Sequence, residues 1–152
     1  MILSEPSNPL FAEAIRASFA RQAIMHLIGA ELGRLEPGMV EIRLPYRADL
    51  TQQHGYLHAG IITTVADSAC GYAAFSLMPA DSEVLSVEFK INLLRPAQGQ
   101  TFLARAEVVK PGKTLTVVQA DVFAVSEQGD RLIATMQGTM ICLKQSAPVN
   151  QV

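Results

Sequence analysis

Between His58 and Met78 the chain carries a single charged residue, Asp67, in a run that is otherwise apolar, small or hydroxyl-bearing. On a helix, at about 100° per residue, Asp67 falls off the centre of the apolar stripe, on a flank shared with Gly60, Thr63, Gly71 and Ala74. Small side chains on that flank let a second backbone or a narrow ligand come close. A carboxylate placed there is partly desolvated, which strengthens its effect on a reacting group and suits it to general-base or nucleophilic work. An Asp that merely faces water fits the same pattern, so the residues alone leave both readings open.

The same run begins with His58, Ala59 and Gly60. At a helix start the amides of Ala59 and Gly60 are unpaired donors at the positive end of the dipole, and such donors can hold a carbonyl oxygen as negative charge develops on it. An ordinary helix start eased by Gly60 is the alternative. His54 and His26 read as loop and helix-surface residues. The segment Gly112-Lys113-Thr114 resembles the end of a phosphate-binding loop, but Glu107 stands where that loop needs its first glycine, and a strand-like run follows. There is no G-x-S-x-G elbow, no paired-cysteine spacing and no H-E-x-x-H, so neither a serine nucleophile of that kind nor a hydrolytic metal site is expected.

The elements that must position Asp67 follow from hydrophobic periodicity. Apolar residues at Leu10, Phe11, Ala14, Ile15, Phe19 and Ile24 predict one amphipathic helix over Asn8 to Met25, opened by Asn8-Pro9. Gly33 and Pro37-Gly38 punctuate two short runs, the second of which alternates from Met39 to Leu44, predicting a hairpin. A polar loop from Pro45 to Leu57 leads to a long helix from His58 to about Leu77, where Ile62, Val65, Ala66, Ala69, Cys70, Ala73 and Leu77 keep helical spacing until Pro79. Four strand-like runs follow, Glu83 to Leu94, Thr101 to Val109, Thr114 to Val125 and Arg131 to Leu143, separated by turn residues. Two strands, a long helix and four strands describe an antiparallel sheet packed on one helix, an α+β fold in a single domain over 1–152, with its core near 10–143 and a frayed tail at 144–152.

Composition narrows the function class. A hydrophobic fraction of 49% against 17% charge, and a mean hydropathy of +0.24, point to apolar surface that needs a partner copy. A net charge of −2 with scattered Lys and Arg gives no footprint for nucleic acid. The N-terminal Met1 to Pro6 lacks the basic start of an export signal, and the stretch from Ala59 to Met78 contains Asp67, so a buried helix is expected rather than a membrane span. Cys70 and Cys142, both in apolar runs, are expected to be free thiols in a reducing cytoplasm.

The run from His58 to Ala74 resembles the H-G-G-x5-A-D-x-A-x-G-x-A-A signature of hotdog thioesterases of the phenylacetate-degradation (PaaI-like) type, and Leu85 to Ala97 resembles the strand that follows it there. The resemblance implies a hotdog fold, a sheet wrapped around the central helix, and hydrolysis of an acyl-CoA thioester by a homodimer or homotetramer with active sites at the subunit interface. It implies Asp67 as base or nucleophile, the Ala59 amide as the group that polarises the carbonyl, and supporting roles for His58, Gln52 and Ser86. Gly60, Arg95, Lys110 and Lys113 become candidates for substrate and coenzyme A contacts, with no cofactor and no metal. Ala59 departs from the pattern, since the first glycine of H-G-G is replaced. A non-catalytic acyl-CoA binding module, or a hotdog dehydratase or hydratase, would share the fold; the H-x-P-G-x-x-P segment usual in the latter is absent.

Overall fold

A computed structural model describes residues 5–145 of the chain. The elements are α1 (Phe11–Arg21), α2 (Ala23–Ile28), β1 (Glu31–Glu36), β2 (Met39–Pro45), α3 (Ala59–Phe75), β3 (Ser82–Leu93), β4 (Thr101–Lys110), β5 (Leu115–Val125) and β6 (Arg131–Lys144), with a short 3-10 helix at Ala48–Leu50. The tail expected at 144–152 lies outside the described residues from 146 onward.

The predicted N-terminal helix is two helices. Gln22 adopts an extended backbone at ψ 94°, while its N–H still reaches Phe19 O. Its side chain turns inward, where Nε2 donates to Ser68 Oγ at 3.3 Å. The break lets α1 bury Ile15 and Phe19 and α2 bury Met25 and Ile28. Hydrophobic spacing runs across Gln22 without interruption, so only packing against α3 shows the kink. Gly29 closes α2 at φ 74°, a left-handed conformation that favours glycine.

All six strands form one antiparallel sheet in the order β1-β2-β4-β5-β6-β3. Alternation decides which face is buried: on β4, Phe102, Ala104, Ala106 and Val108 point to the helix, while Arg105 and Glu107 are exposed. Helix α3 lies across that inner face, burying Ile62, Val65, Ala66, Ala69, Cys70, Ala73 and Ala74. Five of these seven are alanine or cysteine, so the helix axis comes close to an inner face that is itself rich in Ala104, Ala106 and Ala120. The outcome is the expected α+β hotdog, a sheet wrapped on one long helix.

Strand β3 is different from its neighbours. It pairs only with β6 and forms an edge of the sheet. Leu85, Val87, Phe89, Leu93 and the adjoining Leu94 stand 42–57% exposed. A long edge with so many bare apolar side chains is what isolated proteins avoid.

Candidate active site

Asp67 is half-buried on the side of α3 that faces β3. What β3 offers there depends on register. Ser86 lies opposite the buried Met140, so both point towards the helix; the pairing then shifts by one residue, and Glu88 lies opposite Thr139. The extra residue, Val87, is a β-bulge. Ser86 Oγ donates to Asp67 Oδ1 at 2.7 Å and also approaches Met140 Sδ at 3.4 Å. Asp67 makes no salt bridge among the described residues. One carboxylate oxygen is therefore held by a hydroxyl, and the other is left to take a proton from water or to attack a carbonyl carbon. The pair opens on a cleft of about 400 Å³ between α1, α3 and the start of β3.

Cys70, one turn away, is no competing nucleophile. Burial, with the Asp67 charge adding to it, pushes its thiol up to about 12, so it stays protonated at neutral pH.

The start of α3 is built by the preceding loop. His58 is the N-cap, at φ −60° and ψ 138°, and its Nδ1 accepts from Gly60 N at 2.8 Å. This corrects the expectation of two open amides: Gly60 is capped, whereas the Ala59 amide finds no acceptor among the described residues. No non-glycine residue among those described has a positive φ, so the alanine sits at this helix start without strain. The turn from Gln52 to Tyr56 is closed by Gln52 N to Tyr56 O at 2.9 Å. Gln52, Tyr56, Ala59, Ile62, Leu94 and Arg95 line a second cleft, of about 440 Å³. Arg95 is held there by a bond from Nη1 to Leu132 O at 2.7 Å.

The two clefts lie at opposite ends of β3. The Asp67 cleft takes its wall from Glu83 to Ser86, and the Ala59 cleft from Leu93 to Ala97. Eight residues separate Ala59 from Asp67 on one helix, about 12 Å along its axis at 1.5 Å per residue. A single thioester carbonyl cannot touch both within one chain.

The basic residues expected to cluster at strand ends do not do so in one chain. Arg95 lies by Leu132 and Ile133 at one end of β6, whereas Thr114, next to Lys113, bonds Cys142 N near the other. Nine residues of strand, about 30 Å, lie between. Lys110 and Lys113 line neither cleft. His54 and His26 are exposed, as expected.

One wall of the Asp67 cleft was not legible in the sequence. Ser18, Arg21 and Gln22 of the N-terminal helices line it, and nothing in their spacing signals that α1 would pack there. Among the described residues no three His, Cys, Asp or Glu come together as metal ligands, and no helix is long and apolar enough to cross a membrane.

The thioesterase superfamily matches the chain over residues 54–130. A crystal structure of a thioesterase family protein from Silicibacter pomeroyi is 56% identical, covers 88% of this chain and 98% of its own, and superposes with a TM-score of 0.86. The E. coli PaaI protein, from the phenylacetic acid degradation operon, shares the fold at TM-score 0.80, with 21% identity over 90% of this chain and 95% of its own. A 1,4-dihydroxy-2-naphthoyl-CoA hydrolase of Listeria monocytogenes is 25% identical over 80% of this chain and 97% of its own. With its antiparallel sheet wrapped on α3, the chain belongs to the thioesterase superfamily and is an acyl-CoA thioester hydrolase of the hotdog fold.

Proposed function

We propose that this chain hydrolyses acyl-CoA at a site assembled from two copies, Asp67 from one and the Ala59 amide from the other. The observation that carries this reading is the placement of the two clefts at opposite ends of β3, an edge strand paired on one side alone among the described residues. Pairing β3 with the β3 of a second copy, antiparallel about a two-fold axis, sets the Ser82 end of one strand beside the Leu93 end of the other. The Asp67 and Ser86 pair then faces Ala59 and Gln52 of a second copy. The same pairing covers Leu85, Val87 and Phe89. It also brings the Lys113 end of one sheet towards Arg95 of the other, where the coenzyme phosphates need cations.

The chemistry follows from that arrangement. The thioester oxygen accepts from the Ala59 amide at the positive end of α3, which stabilises the charge it gains. Asp67 takes a proton from a water that adds to the carbonyl carbon, or adds to that carbon itself; Ser86 holds the carboxylate in place for either route. On the first route the carbon to sulfur bond breaks and coenzyme A leaves as a thiolate that takes the proton held by Asp67. On the second the thiolate leaves an anhydride on Asp67, and a water hydrolyses it, freeing the acid and the carboxylate and supplying the proton the thiolate takes. Gln52 shares its cleft with Ala59, where its side-chain amide orients the thioester, and His58 serves by capping the helix that presents the Ala59 amide. No metal or cofactor is needed for this sequence. The site suits the cytoplasm, where acyl-CoA is made and spent.

Release of free thiol from a panel of acyl-CoA esters tests the reading, together with sedimentation of the purified chain. Turnover by a dimer or larger assembly is expected. Binding without thiol release makes the chain a sensing module, and an active monomer removes the shared site.

A further inference from the structure

The Val87 bulge decides where Ser86 points, yet β3 carries no glycine or proline from Ser82 to Leu93 to mark its place. The mark is on β6, the one strand that β3 pairs with among the described residues. Gly138 lies opposite Phe89, two residues before Met140, which lies opposite Ser86. It is buried on the inner face, and it is not among the glycines with positive φ, so its backbone does not call for glycine. What the site calls for is a missing side chain. A Cβ at Gly138 would meet Glu88 O at 3.3 Å, and Phe89 Cβ and Met140 Cε at 3.4 Å each, so its neighbours would have to give.

Those neighbours are the two supports of the Ser86 hydroxyl. Glu88 is the residue with which pairing resumes after the bulge, and Met140 Cε is the methyl on the Sδ that stands 3.4 Å from Ser86 Oγ. A methyl at Gly138 thus presses on the strand that carries the hydroxyl and on the side chain beside it. From the outer face the same stretch is held by Thr139, whose Oγ1 donates to Glu88 Oε1 at 2.6 Å in the first cross-strand pair after Val87. From this we infer that Gly138 and Thr139 are positioning residues, which hold the Val87 bulge in place from β6 and so set the Ser86 hydroxyl on Asp67. The inference rests on the hydrolase reading above, in which Asp67 reaches the thioester carbonyl. It adds two residues that line neither cleft and act on the reaction through Ser86.

The test is turnover per folded molecule, with phenylacetyl-CoA and hexanoyl-CoA as probes. Gly138→Ala should lower kcat by up to about tenfold, the loss expected when the Ser86 hydroxyl is removed outright, with KM little changed. In a Ser86→Ala background the same substitution should cost nothing more, because the two changes then break one and the same contact. A crystal structure of Gly138→Ala should show Ser86 Oγ out of hydrogen-bond reach of Asp67 Oδ1. An unchanged kcat, a fall as large without the Ser86 hydroxyl as with it, or an unmoved contact overturns the inference. Should Gly138→Ala fail to fold, Thr139→Val, which keeps the side-chain shape on the outer face, takes its place in all three measurements with a smaller fall expected. Absence of turnover by the wild-type chain with every ester overturns the hydrolase reading instead, and the contact seen in the crystal still decides the inference.

Discussion

Ser86 Oγ donates to Asp67 Oδ1 across 2.7 Å, tying the edge strand of the sheet to the middle of its central helix. That contact exists because the Val87 bulge follows Ser86 rather than preceding it. A bulge one residue earlier would turn the hydroxyl to the outer face.

Asp67→Asn removes the charge and keeps the shape. Hydrolysis per folded molecule should fall by roughly a hundredfold or more, since a positioned base or nucleophile contributes on that order. The melting temperature should hold or rise, because a partly desolvated carboxylate is costly to the folded state. A lower melting temperature with turnover intact would make Asp67 a packing residue.

Ser86→Ala deletes the hydroxyl that holds the carboxylate. The expected result is a kcat lower by about tenfold with KM little changed, the pattern of an interaction that matters in the transition state. Folding should lose about 1 kcal/mol or less, since water can replace the donor at this exposed residue. Steady-state kinetics beside a urea titration separate the two effects.

Ala59→Pro removes one amide and little else. Ala59 is the first residue of α3, where proline is well accepted, and His58 already has the extended backbone that proline asks of its predecessor. A native melting temperature with a kcat reduced by about a hundredfold is the expected outcome. Refolding this variant together with Asp67→Asn then tests the shared site. Mixed dimers carry both defects in one site and none in the other, so about a quarter of the wild-type rate should return. No recovery would place both groups in the same chain.

Arg95→Glu and Lys113→Glu should raise KM for acyl-CoA by more than they lower kcat, because phosphate contacts hold ground and transition states alike. Unchanged KM at both positions means that the nucleotide lies elsewhere.

Cys70 makes alkaline pH unfavourable. Its thiol is raised from 9.0 to about 12 by burial and then by the Asp67 charge. Below pH 9 folded and unfolded chains both keep the proton. Between pH 9 and 12 the unfolded chain loses it while the folded one does not, so stability falls as pH rises, by about 1.4 kcal/mol per unit. Urea midpoints at pH 8 and pH 10 should show the loss, and Cys70→Ala should lessen it. In the native protein a thiol reagent at pH 8 should find Cys142 and miss Cys70.

The sequence by itself determined most of the elements and singled out Asp67, the residue proposed to do the chemistry. Helical spacing from Ile62 to Ala73 and period-two alternation in β2, β4 and β5 are local signals, because each residue's burial there follows from its own element's geometry. Asp67 stood out because a lone charge in such a run is visible without any fold. Only the tertiary structure decided what surrounds it. The break at Gln22 answers to Ser68, forty-six residues on; Ser86 reaches Asp67 through a bulge read from β6; and Ser18 meets Tyr72 because α1 packs against α3. The separation of Arg95 from Lys113 likewise comes from strand order, which holds apart residues whose distance in sequence says nothing of their distance in space.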